Sequence, residues 1–158
     1  MATNKTIFLK SGREGEPLPK EARAQGSTIL PGMLLERVYD TDAIAVKVHS
    51  VSGGGGSKLV AVEDSNQGSD IDDIYADNSR VSFIVPGPGD ELNMLLANGA
   101  NASVGSKLES NADGYLIVAG EDSGDAPTGV MFEALEALDM SDSDDVDPAS
   151  QRIAVEVI

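Results

Sequence analysis

Cysteine and tryptophan are absent from this 158-residue chain, histidine occurs once, and aromatic residues make up only 4% of it. Without cysteine there is no disulfide, no thiolate metal ligand and no cysteine nucleophile. With His49 alone, neither a Cys–His pair nor a multi-histidine zinc site can be assembled. So few aromatics leave little with which to stack sugar rings. The many carboxylates are therefore a poor basis for a glycosidase, which needs two of them about 5–9 Å apart across a cleft. No serine lies in a Gly-x-Ser-x-Gly elbow. The run Gly53 to Lys58 (GGGGSK) misses the phosphate-loop pattern, because Ser57 rather than glycine precedes the lysine. No enzyme activity, cofactor or resident metal is expected. Apolar runs fall short of the ~20 residues that span a bilayer, and MATNKTIFLK lacks the long apolar stretch of a secretion signal. The expectation is a soluble protein that stays where it is made.

Positive charge is scarce too. Lys and Arg number 11 against 27 Asp and Glu, for a net charge of −16. Such a field repels duplex nucleic acid and anionic membrane, so neither is expected as a partner. The imbalance is uneven. Residues 1–60 hold 8 basic and 6 acidic residues, whereas residues 61–158 hold 21 acidic residues and only Arg80, Lys107 and Arg152 as counter-charges. Two readings fit: a solvated acidic surface that opposes self-association, or an assembly protein whose basic N-terminal part meets an acidic neighbour.

What the chain does have is many short β-type runs between turn residues. Thr6 to Lys10 alternates, and Ser27 to Glu36 reads as strand, turn, strand. Ala43 to Val51 (AIAVKVHSV) is rich in β-branched residues and resumes at Lys58 to Glu63 after the glycine run, which reads as a hairpin with a loose tip. Arg80 to Val85, Leu92 to Ala97, Tyr115 to Ala119 and Ile153 to Ile158 read as further strands, with Asn98-Gly99 and Asp113-Gly114 as hairpin dipeptides. Ile71, Ile74 and Tyr75 have the spacing of one short helical turn. Val130 to Leu138 fits either strand or helix. Ser11 to Gly26, with two prolines and many charges, reads as an extended arm. The expected fold is all-β: a small β-barrel or β-sandwich-like domain over residues 27–158, preceded by an N-terminal strand and arm over residues 1–26, with at most short helical turns.

One internal echo stands out. Gly26, Gly32, Leu35 and Glu36 recur as Gly99, Gly105, Leu108 and Glu109, each 73 residues on. Glycine ahead of a strand supplies the positive φ that a barrel corner needs, so a repeated corner is its physical content.

Calcium deserves weighing, since Asp64-Ser65-Asn66-Gln67-Gly68 and Asp142-Ser143-Asp144-Asp145 place oxygen ligands two apart. Neither completes an EF-hand loop: the first has glycine at position five and Tyr75 at position twelve. Solvated acidic loops account for both. Asn4-Lys5-Thr6 and Asn101-Ala102-Ser103 match the glycosylation sequon.

Several features together resemble the small head-decoration (capsid cement) proteins of tailed bacterial or archaeal viruses. They are Glu63 to Gly68 (EDSNQG), Asp73 to Ala76 (DIYA), a strand ending in Pro86 to Asp90 (PGPGD), Met94 to Gly99 (MLLANG), Val104 to Gly114 (VGSKLESNADG) and the terminal strand from Arg152 to Val157. The resemblance covers roughly residues 60–158. It implies a non-enzymatic β-barrel-like protein on the outer capsid surface of the virion, bound to the major capsid protein and often a homotrimer. No catalytic residue or cofactor comes with it. The arm would then lie over a neighbouring capsid subunit, with Lys5, Lys10, Arg13, Lys20 and Arg23 as candidate capsid contacts. The alternative is a calcium-dependent β-sandwich binding module of a cell-surface protein, against which the scarce aromatics and the lack of a secretion signal both count.

Overall fold

The computed structural model describes residues 6–26, 28–39, 43–54, 58–119, 129–144 and 147–158. Five strands close into a barrel: β2 (Lys20–Ala24), β3 (Leu34–Tyr39), β4 (Ile44–Val48), β5 (Leu59–Ala61) and β6 (Arg80–Ile84), in the order β2-β4-β3-β5-β6. A second sheet has the order β1-β7-β13-β11-β9-β10. Its strands are β1 (Phe8–Lys10), β7 (Glu91–Leu95), β9 (Lys107–Ser110), β10 (Leu116–Val118), β11 (Phe132–Ala134) and β13 (Arg152–Val157). The short strands β8 (Asn101–Ala102) and β12 (Leu138–Asp139) pair with each other. Among the described residues, the regular helices are a 3-10 turn at Ser65–Gln67 and α1 (Pro148–Gln151), which Asp147 caps through the Ala149 N–H. The all-β expectation holds.

The glycine echo turns out to mark a repeated five-stranded unit. In the first unit Leu35 pairs with Leu59; in the second Leu108 pairs with Phe132, 73 residues on at both positions. Lys20↔Phe83 and Arg23↔Arg80 reappear as Leu92↔Val155 and Leu95↔Arg152, 72 residues on. The turns match as well. Met33 donates to the Leu30 carbonyl as Ser106 does to that of Ser103, and Gly32 donates to Ala61 as Gly105 does to Ala134. All four glycines of the echo have positive φ, between 79° and 94°, a region that L residues with a Cβ enter at a cost. Even the closure recurs: β2 lies parallel to β4 at Ala24 and Val46, and Leu96 bridges Leu116 in parallel. The second unit stays more open because β1 pairs with the start of β7.

Alternation along the strands feeds two cores rather than one core and solvent. Leu35, Leu59, Ala61 and Phe83 turn into the first barrel with Ile29, Val46 and Val81. Their neighbours Leu34, Val60 and Ile84 face the other way, into a larger cluster with Leu92, Met94, Leu108, Phe132, Ile153 and Val155. This is why β5 is buried at every position. Each such aliphatic side chain contributes roughly 1.5–3 kcal/mol of burial, and no tryptophan is needed to fill the space.

Four expectations change. Lys20–Ala24, placed in the arm on sequence grounds, is a barrel strand held by β6 on one side and β4 on the other. Only Ala22 and Ala24 turn toward the barrel core, so its apolar signal is weak. The strands β4 and β5 do not form a hairpin, because β3 lies between them. Nor does Asn98-Gly99 link paired strands, since β8 pairs with β12. Ile71, Ile74 and Tyr75 share no helical turn: Ile71 is buried, Ile74 exposed, and Tyr75 bridges Ile29. The stretch left open between strand and helix becomes β11 followed by β12.

Candidate functional site

The basic residues marked as capsid contacts fall in two places. Lys5 lies outside the described residues. Lys10 and Arg13 sit beside the second unit, and Lys20 and Arg23 lie on β2 of the first.

Around Arg13 the chain is fastened to the turn between β6 and β7. Asp90, fully buried, accepts the Gly12 N–H on Oδ1 at 3.0 Å and the Gly87 N–H on Oδ2 at 2.8 Å. The Arg13 guanidinium lies 3.8 Å from the same carboxylate. Gly12 is wedged so tightly that a Cβ there would come within 2.3 Å of the Gly89 carbonyl carbon. The Pro86–Asp90 turn is therefore a clamp that holds the segment after β1, and Arg13 serves that clamp.

On the first unit, Arg23 lines a shallow groove with Glu21, Ile44, Asn78 and Arg80, and Lys20 lies outside that lining. Arg23 donates to Asn78 Oδ1 at 2.8 Å, and Arg80 pairs with Glu21 at 3.1 Å. Ile44 is 56% exposed, and its cross-strand partner Tyr39 is 76% exposed. Arginine and tyrosine are among the residues enriched at protein interfaces. The sequence reading missed Arg80, Tyr39 and Ile44. The available signal was two apolar residues, Tyr39 and Ile44, on either side of the polar run Asp40-Thr41-Asp42.

Between the units, polar contacts border the apolar cluster that the two units share. The Arg152 guanidinium, buried, donates to the Pro31 carbonyl at 3.0 Å, to the Ile71 carbonyl, and to Asp72 Oδ1 at 3.2 Å. Burial pulls the Arg152 pKa down while Asp72 raises it. His49 Nδ1 lies 2.7 Å from Ser110 Oγ, and burial lowers the histidine pKa against the opposing pull of Glu36. The lone histidine thus sits in a junction between strands.

The acidic loops engage their own backbone. The Asp64 carbonyl accepts from Gln67 and Ser69, Asp73 caps the Asp70 N–H, and Asp139 accepts from Ser141. Hydrogen bonding to Ser141 lowers the Asp139 pKa. Among the described residues, no three acidic or histidine side chains converge as a cation site would need.

This architecture has a solved counterpart. The chain shares its fold with the N base of head fiber gp8.5 from bacteriophage phi29, at a TM-score of 0.59 and 14% identity. The likeness spans 90% of this chain and 95% of that one, so both units are included. No protein-family model matches, and no curated protein does.

Proposed function

We propose that this protein is a non-enzymatic structural component of a viral head that binds the outer face of the assembled capsid and bridges neighbouring major capsid protein subunits. The observation that carries this reading is the fold shared, over 90% of this chain, with a phage head-fiber base. The resemblance of residues 60–158 to capsid decoration proteins supports it independently. The chemistry needed is modest. A protein that binds only the assembled shell stabilises it by mass action, and many copies on a symmetric lattice multiply a small contact. A two-unit β body with a clamped N-terminal segment suits that task. Lys10, Arg13, Lys20 and Arg23 are exposed cations that would face an acidic capsid surface, with Lys5 as a further contact.

The test is to band particles from the source culture in a density gradient and quantify this chain against the major capsid protein. A fixed, high ratio across preparations supports the reading, and absence from the particle band overturns it.

A further inference from the structure

The two units meet head to tail. From the second unit, Arg152 reaches the Pro31 carbonyl and lies so close to Gly32 that a Cβ there would come within 2.6 Å of Nη1. Beside it, the Gly114 carbonyl in the β9–β10 tip accepts the Leu34 N–H at 2.9 Å. A Cβ on Gly114 would lie 3.2 Å from Val48 and 3.3 Å from Met33. The donor half is thus a guanidinium plus a hairpin tip, and the acceptor half is a glycine turn plus the start of β3.

Because the units repeat, the guanidinium of the donor half and the glycine turn of the acceptor half each exist a second time, and both are exposed. Arg80 occupies the position of Arg152 in β6, and its side chain is 76% exposed. Ile44, at the start of β4, is exposed in the same groove. The turn Ser103–Ser106 repeats Leu30–Met33 down to its hydrogen bonds. Val104 there is 71% exposed, and a Cβ at Gly105 would meet no atom within 4 Å.

We propose that a second copy of this chain fills these halves, its Arg80 groove docking on the Val104–Gly105 turn as Arg152 docks on Pro31–Gly32. Several features identify the occupant as another copy. The acceptor backbone geometry is the one this fold already uses to receive a guanidinium. Apolar groups stand exposed on both halves, Tyr39 and Ile44 on one and Val104 on the other. Arg80 would also approach a half, residues 86–158, that holds 2 basic and 15 acidic residues. Such a contact joins two different surfaces, so it propagates until a ring closes or a filament grows. The inference does not depend on capsid binding.

Sedimentation velocity of the full chain over a wide concentration range tests it, with Arg80→Glu on one half and Val104→Glu on the other. Wild type is expected to associate, and each variant to weaken association by at least about tenfold. An equimolar mixture of the two variants retains one intact donor and one intact acceptor, so it is expected to give a two-copy species and nothing larger. Both sites are exposed, and unchanged circular dichroism and thermal midpoints would verify the fold. A wild-type monomer at every concentration overturns the proposal. So does association that survives both substitutions, or a mixture that stays monomeric.

Discussion

His49 and Ser110, 61 residues apart, meet through a buried 2.7 Å contact between Nδ1 and Oγ at the seam of the two units. The Ser110 hydroxyl also accepts the Ala112 N–H, and its carbonyl accepts the Gly53 N–H. Burial is the larger influence on His49 and pushes its pKa below the ordinary value, with Glu36 acting in the opposite sense.

That shift makes the seam sensitive to acid. The unfolded chain binds a proton at about pH 6.5, whereas the folded chain resists until lower pH. The contribution of His49 is therefore full above pH ~6.5 and is lost as the pH falls through the depressed folded value. His49→Gln is expected to flatten the stability–pH curve in this window. Urea titrations from pH 7.5 downward check it, and parallel curves for the two proteins would contradict it. Ser110→Ala is expected to cost about 1 kcal/mol near neutral pH.

Asp90 gives the second prediction. Its carboxylate is buried and accepts two backbone N–H groups, whereas Arg13 is half exposed and 3.8 Å away. Removing the carboxylate leaves two donors unsatisfied, and Asp90→Ala is expected to lose about 2–3 kcal/mol. Arg13→Ala should lose less than about 1 kcal/mol, as exposed ion pairs do. Hydrogen exchange at the Gly12 amide separates the two: it should speed up strongly in Asp90→Ala and little in Arg13→Ala.

Much of the fold was legible because burial and residue type agree. In β4, β6 and β13, β-branched and aliphatic residues dominate, and the Asp113-Gly114 tip joins two strands that do pair. Legibility failed where small residues carry the packing. Lys20–Ala24 has only two alanines facing the barrel core, so its charges dominated and it read as arm. It also failed where pairing is not sequential: nothing local in Ala43 to Glu63 says that β3 lies between β4 and β5. The repeat showed four identities but not its extent, because register is preserved in backbone hydrogen bonds while side chains diverge. At the candidate site, Lys20 and Arg23 were visible as cations. The partnership of Arg13 with Asp90, and the burial of Arg152, arise from contacts between distant segments.

Glycine substitutions separate backbone strain from junction packing. Gly32 and Gly105 occupy equivalent turns with φ of 94° and 85°. Alanine at either position incurs about 1 kcal/mol from the left-handed backbone. Only at Gly32 does the added methyl also meet Arg152. Gly32→Ala should therefore destabilise clearly more than Gly105→Ala in denaturant melts, and equal losses would mean that the Arg152 contact gives way freely.

The repeated arginines carry the last prediction. Arg152 and Arg80 occupy matched positions in β13 and β6, one buried against carbonyls of the other unit, the other exposed beside Glu21. Removing Arg152 leaves the Pro31 and Ile71 carbonyls without their donor and Asp72 without its cation. Arg152→Ala is thus expected to lose about 3 kcal/mol. Lysine retains the charge but not the fork that reaches both carbonyls, so Arg152→Lys should recover only part of the loss. Arg80→Ala, measured on dilute protein, should change stability by less than about 1 kcal/mol. Chemical denaturation of the three variants decides the matter. Similar losses at both arginines would show that the matched positions share a structural role within each unit and that the unit–unit junction does not depend on the guanidinium of Arg152.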